Sequence, residues 1–171
     1  ISHRCEKRVG YLALIANAMG ERHRAAECID SAIQCLGTYA EKGRTDLAPR
    51  YRKVASVAAE CGLYKIADRC LLEAIANADI VRPSGLDSCE LRLRRIFVLM
   101  KETRRTEAKQ CLTETLARLA TLSSIQLQPS ASEAFAFSQL VNEALPLIGY
   151  FPDQEELYPW ILTLRGLDLA L

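Results

Sequence analysis

One short pattern returns along this chain at nearly constant spacing. AAECI occupies residues 25–29, ADRCL residues 67–71 and AKQCL residues 108–112, so A-x-x-C-[aliphatic] occurs three times. The three cysteines, Cys28, Cys70 and Cys111, lie 42 and 41 residues apart. Other positions fall into the same frame: Gly20 with Gly62, Ile29 with Leu71, Ala32 with Ala74, and Thr103 where the third copy would carry glycine. A period of about 40 residues is the mark of stacked supersecondary units, none of which can cover its own apolar face alone.

Each unit reads as a helix, a tight turn and a second helix. In 11-YLALIANAMG-20 apolar residues run up to Gly20, which suits the left-handed position that ends a helix. In 66-IADRCLLEAIANA-78, Ile66, Ala67, Cys70, Leu71, Ala74, Ile75 and Ala78 form one apolar stripe. The small alanines let helix axes approach closely. The pattern predicts an all-α fold, an α-solenoid of about four antiparallel helical hairpins in the manner of tetratricopeptide or HEAT repeats. The helices are expected at 5–19, 22–40, 46–61, 64–79, 86–102, 105–122, 131–149 and 154–170. They pair as hairpins 5–40, 46–79, 86–122 and 131–170, in one helical-repeat segment spanning 1–171. GRTD (43–46), RPSG (82–85) and QPS (128–130) mark the joints, and Pro49 suits the first turn of the third helix. The fourth hairpin lacks A-x-x-C, and Pro146, Pro152 and Pro159 predict a bent, atypical unit.

The same frame answers what the seven cysteines are for. Their number is odd and they are scattered, which points to a reducing compartment rather than a disulfide framework. On the apolar stripe a cysteine behaves as a small hydrophobe. No metal site is expected, because C-x-x-C is absent and both histidines, His3 and His23, stand near the start. Nor is a catalytic thiol: His23 and Cys28 are five residues apart on one helix and do not face each other. Gly-rich phosphate loops, H-E-x-x-H and G-x-S-x-G are all missing, and the adjacent Glu155 and Glu156 diverge on a helix. The chain is therefore expected to have no enzymatic activity and no cofactor. No apolar run reaches the ~18–20 residues that span a bilayer. The chain begins at Ile1 and reads as a piece of a longer, cytoplasmic protein.

Two stretches break an otherwise even charge. Residues 90–109 hold seven Lys/Arg against three Glu, and Arg92, Arg95, Arg104 and Arg105 are candidates for a basic patch. Its readings are a solvated helix face, a site for an acidic partner or phospholipid headgroup, or an RNA surface. RNA is disfavoured by the lack of aromatic stacking platforms. Residues 129–171 carry six acidic residues against Arg165, and most of the bulky aromatics. Within 149-GYFPDQEELYPW-160, Tyr150, Phe151, Asp153 and Trp160 are candidates for a protein-binding hot spot, since Trp and Tyr anchor interfaces. The alternative is that these aromatics are core.

Two resemblances add to this reading. Gly62, Tyr64, Ala67, Leu71 and Ala74 match the G-x-Y-x-x-A-x-x-x-[large]-x-x-A spacing, so the second hairpin resembles a tetratricopeptide repeat, at a longer period. The tail 130-SASEAFAFSQLVNEALPLIGYFPD-153 is similar to a segment of the large α-solenoid scaffold subunits of the Retriever and retromer endosomal recycling complexes. Ser132, Glu133, Phe135, Leu140, Asn142, Pro152, Asp153, Leu162, Leu164, Arg165 and Leu167 carry it, with the Ala108–Leu112 helix before them. This second resemblance implies a non-enzymatic scaffold in a multi-subunit, endosome-associated sorting complex. It also implies a small phosphoesterase-fold subunit as partner and a peripheral association with membranes through the complex. A tetratricopeptide-like adaptor in another assembly and an RNA-associated repeat protein are the alternatives.

Overall fold

A computed structural model describes residues 2–41, 47–82, 85–125, 130–151 and 155–168. The described residues hold eight α-helices, one 3-10 helix and no strand. In order these are α1 (Ser2–Ala18), α2 (Arg22–Glu41), α3 (Ala48–Glu60), α4 (Tyr64–Val81), α5 (Leu86–Lys101), α6 (Arg105–Ile125), α7 (Ala131–Ala144), the 3-10 helix Leu145–Tyr150, and α8 (Tyr158–Asp168). The chain divides into two compact units, Ile1–Val81 and Arg82–Leu171. The division falls at the start of RPSG. In the first unit α1 packs on α2, α3 on α4, and α3 also on α1 and α2. In the second α5 packs on α6, α7 touches both, and α8 packs on α6 and α7.

Three turns share one geometry. Gly20, Gly62 and Thr103 sit at φ 80°, 69° and 62°, all left-handed. Gly20 donates its N–H to the Asn17 carbonyl and Glu21 to Ala16. The same pair of bonds recurs from Gly62 to Ala59 and Leu63 to Ala58, and from Thr103 to Met100 and Arg104 to Leu99. This is the Schellman closure, which satisfies carbonyls left open at a helix end. A β-branched residue in this conformation is strained, by ~1–2 kcal/mol for its side chain. Thr103→Gly is therefore expected to raise stability by roughly 0.5–1 kcal/mol, since relief outweighs the ~0.5–1 kcal/mol entropy cost of glycine. A urea midpoint that falls on this change would show that Thr103 is held there by something other than the turn.

Three helices, α2, α4 and α6, bury the same positions. Ala25, Ala67 and Ala108 are fully covered, as are Ile29, Leu71 and Leu112 one turn later. The next shared position carries Ala32, Ala74 and Thr115, and the one after it Leu36, Ala78 and Leu119, all buried. Thr115 keeps its hydroxyl satisfied by donating to the Cys111 carbonyl at 2.7 Å. Cys70 and Cys111 are buried to 1% and 2% exposure, but Cys28 is only half-buried. Cysteine stands at the flank of the stripe, so its cover depends on what lies to that side.

Pro49 is in the first turn of α3, as expected. The seventh helix is shorter than its expected span of 131–149. Pro146 cannot donate the next helical hydrogen bond, so α7 stops at Ala144 and the chain tightens into the 3-10 helix. Its start is fixed by a capping box. Ser130 Oγ accepts from the Glu133 N–H at 3.3 Å, and Glu133 accepts from the Ser130 N–H at 3.1 Å. The Ser130 bonds also hold the Glu133 carboxyl below the usual carboxylate range.

Candidate functional site

The aromatic segment separates into different environments. Phe151, a candidate for the partner surface with a core role as its alternative, is a core residue at 2% exposure, packed in the second unit's core with Leu147, Ile148, Leu157 and Leu164. Trp160 lies half-buried against the same core. Tyr150 is 62% exposed, and Tyr158 and Leu162 also stand out from the surface. Asp153 lies outside the described residues. Among the described residues of 149–160 the surface aromatics are therefore Tyr150 and Tyr158, while Phe151 holds the fold.

The basic stretch is interleaved with its own counter-charges. Arg92 is 11% exposed and lies 3.8 Å from Glu114, and its Nε makes no hydrogen bond. Arg94 donates to Glu90 at 2.8 Å. Arg104 donates to Glu102 at 2.9 Å and through Nε to Glu107 at 2.7 Å. That guanidinium pulls the Glu107 carboxyl below its usual range. Arg95 is half-buried and interacts with the Cys111 thiol. Arg105 is exposed. The four candidate arginines thus do not form one field of uncompensated charge. The solvent-facing pairs, Arg94 with Glu90 and Arg104 with Glu107, contribute little stability, ~0–1 kcal/mol each, but all of these carboxylates lower the potential that an anionic partner would meet.

A cleft of about 450 Å³ lies between α5 and α7, and sequence counting passed over it. It is lined by Leu93, Leu140 and Ala136, with Asp87, Glu90 and Glu143 among its polar residues. Summing charge across 90–109 hid it, because helix positions 87, 90, 94 and 97 share a face that residues 92 and 95 do not. The signal that would have found it is the stripe 86, 87, 90, 93, 94, 97 read as a surface. In the first unit a separate groove of about 270 Å³ is lined by apolar residues including Leu14, Ile29 and Val57, beside Arg50 and Lys53.

The thiols sit where their chemistry is suppressed. Burial pushes Cys70 from its ordinary 9.0 up to about 12, and burial also raises Cys61, Cys111 and the Tyr51 phenol. His23, the only described histidine side chain, lies 3.3 Å from Glu27. Below about pH 9 a thiol such as Cys70 is protonated whether the chain is folded or not. Above it the unfolded chain loses the proton first, so stability falls as pH rises from about 9 to 12, by ~1.4 kcal/mol per pH unit for one such thiol. The urea midpoint is expected to drop between pH 8 and pH 10.5, and to drop less in Cys70→Ala. Equal slopes in the two proteins would mean that Cys70 is not buried in solution.

Among the described residues no cluster of three or more His, Cys, Asp or Glu side chains is placed to hold a metal ion. Among them also, no helix is long and apolar enough to cross a membrane. No family model matches the chain, and no curated protein matches it either.

Proposed function

We propose that this chain is a helical-repeat scaffold that binds other proteins and performs no chemistry of its own. The observation that carries the reading is the threefold recurrence of one left-handed turn, each followed two residues later by a helix burying the same stripe. Repetition of this kind fits an α-solenoid of about four antiparallel hairpins, whose purpose is extended surface rather than a single cavity. Exposed large side chains are plentiful: Tyr11, Ile15, Phe97, Phe135, Tyr150 and Tyr158 all lie open. The aromatic rings among them are of the kind that anchors protein interfaces.

The tail's resemblance to Retriever and retromer scaffold subunits gives the proposal its most specific form. The chain then helps to assemble an endosomal sorting complex in the cytoplasm and cradles a small phosphoesterase-fold subunit. Tyr150 and Trp160 are the side chains through which the tail would be mapped. A tetratricopeptide-like adaptor of another assembly shares the same fold argument. An RNA-binding role is weakened by the carboxylates beside Arg92, Arg94 and Arg104.

The test is affinity purification of the protein from its own cells, followed by mass spectrometry. Recovery of a phosphoesterase-fold subunit together with endosomal sorting proteins is the expected result. Recovery of an unrelated assembly would remove the endosomal part and keep the scaffold. Recovery of RNA-processing proteins, released by nuclease, would overturn both.

A further inference from the structure

We infer that the cleft between α5 and α7 is a docking site for a basic amphipathic segment of a partner protein. The inference sits within the scaffold reading but rests on the cleft's own chemistry. Its floor is apolar: Leu93 and Leu140 are buried beneath it. At about 450 Å³ it admits a row of side chains. Phe97 lines it while 54% exposed, an aromatic ring left open to solvent beside the apolar floor.

The charge around that floor is lopsided. α5 contributes Asp87 and Glu90 and α7 contributes Glu143. Among the described residues that line the cleft the one cation, Arg94, is engaged by Glu90 at 2.8 Å. Asp87 and Glu143 are exposed, and neither makes an ion pair with any described residue. An apolar trough flanked by carboxylates from both helices accepts leucine-like side chains below and Lys or Arg above. Phe97 adds a ring face against which a cation can stack. The same carboxylates repel a phosphate backbone or an anionic lipid surface. The sign is therefore opposite to the one that counting Lys and Arg over 90–109 suggests. A helix in a groove, anchored at i, i+3, i+4 and i+7, is the segment of matching shape.

The test uses the full chain and two fluorescein-labelled 18-residue helical peptides. One has leucines on one face and lysines on the other; its twin has glutamate in place of every lysine. Fluorescence anisotropy is expected to show the lysine peptide binding at least ~10-fold tighter, with an affinity that falls as salt rises. The double variant Asp87→Lys/Glu143→Lys should lose ~10-fold or more, and Phe97→Ala a comparable amount, since both remove central contacts. Glu60→Lys, an exposed charge reversal in the other unit, should change nothing. All four positions are exposed, so thermal melts should coincide with the parent's. Equal binding of the two peptides overturns the proposal. So does an equal loss in Glu60→Lys, which would reduce the effect to net charge. A chain that dimerises in sedimentation and becomes monomeric on Phe97→Ala also overturns it, because a second copy is then the occupant.

Discussion

Cys70→Asp is expected to lower stability by ~3–5 kcal/mol, because it places a charge in the core with no partner. Cys28→Asp, at the repeat-related position, is expected to cost about 1 kcal/mol or less, in the range of partly exposed substitutions. The difference follows from position. Cys70 is 1% exposed, whereas Cys28 is half-buried and can turn a carboxylate toward water. The surroundings of Cys70 offer a new carboxylate little relief. Asp30 and Glu73 already act on it, and the nearby Arg69 is held by Asp30 at 2.9 Å. Urea unfolding followed by circular dichroism reads the comparison directly. Similar midpoints for the two variants would show that Cys70 is not in the core and would break the register on which the repeat rests.

The second large effect separates two neighbours in the chain. Phe151→Ala is expected to cost ~3–5 kcal/mol, the usual penalty for emptying a buried aromatic site. Tyr150→Ala should leave stability within ~0.5 kcal/mol of the parent, as exposed substitutions do. Phe151 closes the second unit's core beside Ile148 and Leu157, while Tyr150 projects outward. Partner capture should show the opposite ranking, with Tyr150→Ala weakening it in a chain that still melts normally. A Phe151→Ala protein with normal stability would mean that the ring faces solvent. Trp160, half-buried on the same core, falls between the two.

How much of this was legible in the amino-acid order depends on which physical effect decided each part. Turns and stripes were legible, because backbone sterics and apolar periodicity are local. Gly20 and Gly62 announced their left-handed backbone through their type, and even Thr103 was placed correctly by its spacing. The burial of Cys70 and Cys111 followed from the stripe they share with leucine. The half-exposure of Cys28 was not legible, since a flank position is covered only by what another helix brings. Phe151 and Tyr150 could not be told apart by composition, because both lie in one aromatic run and the 3-10 helix decides which faces inward. Pairing hid the charge of the α5–α7 cleft as well. Arg94 and Glu90 cancel across one helical turn, leaving Asp87 and Glu143 to set the charge of the cleft.

The three matching turns also say where this chain can change its length. From the left-handed residue to the first residue of the next helix the count is always two: Gly20 to Arg22, Gly62 to Tyr64, Thr103 to Arg105. One extra residue there would rotate the following helix by about 100° and swing its alanines and leucines away from their partners. From the start of that helix to the start of the next pair the count varies, from Arg22 to Ala48 and from Tyr64 to Leu86. The drift from 42 to 41 residues between copies is thus absorbed outside the turns. Insertions and deletions would accumulate at the joints between pairs, and the turns would behave as fixed rivets in a chain whose links are adjustable.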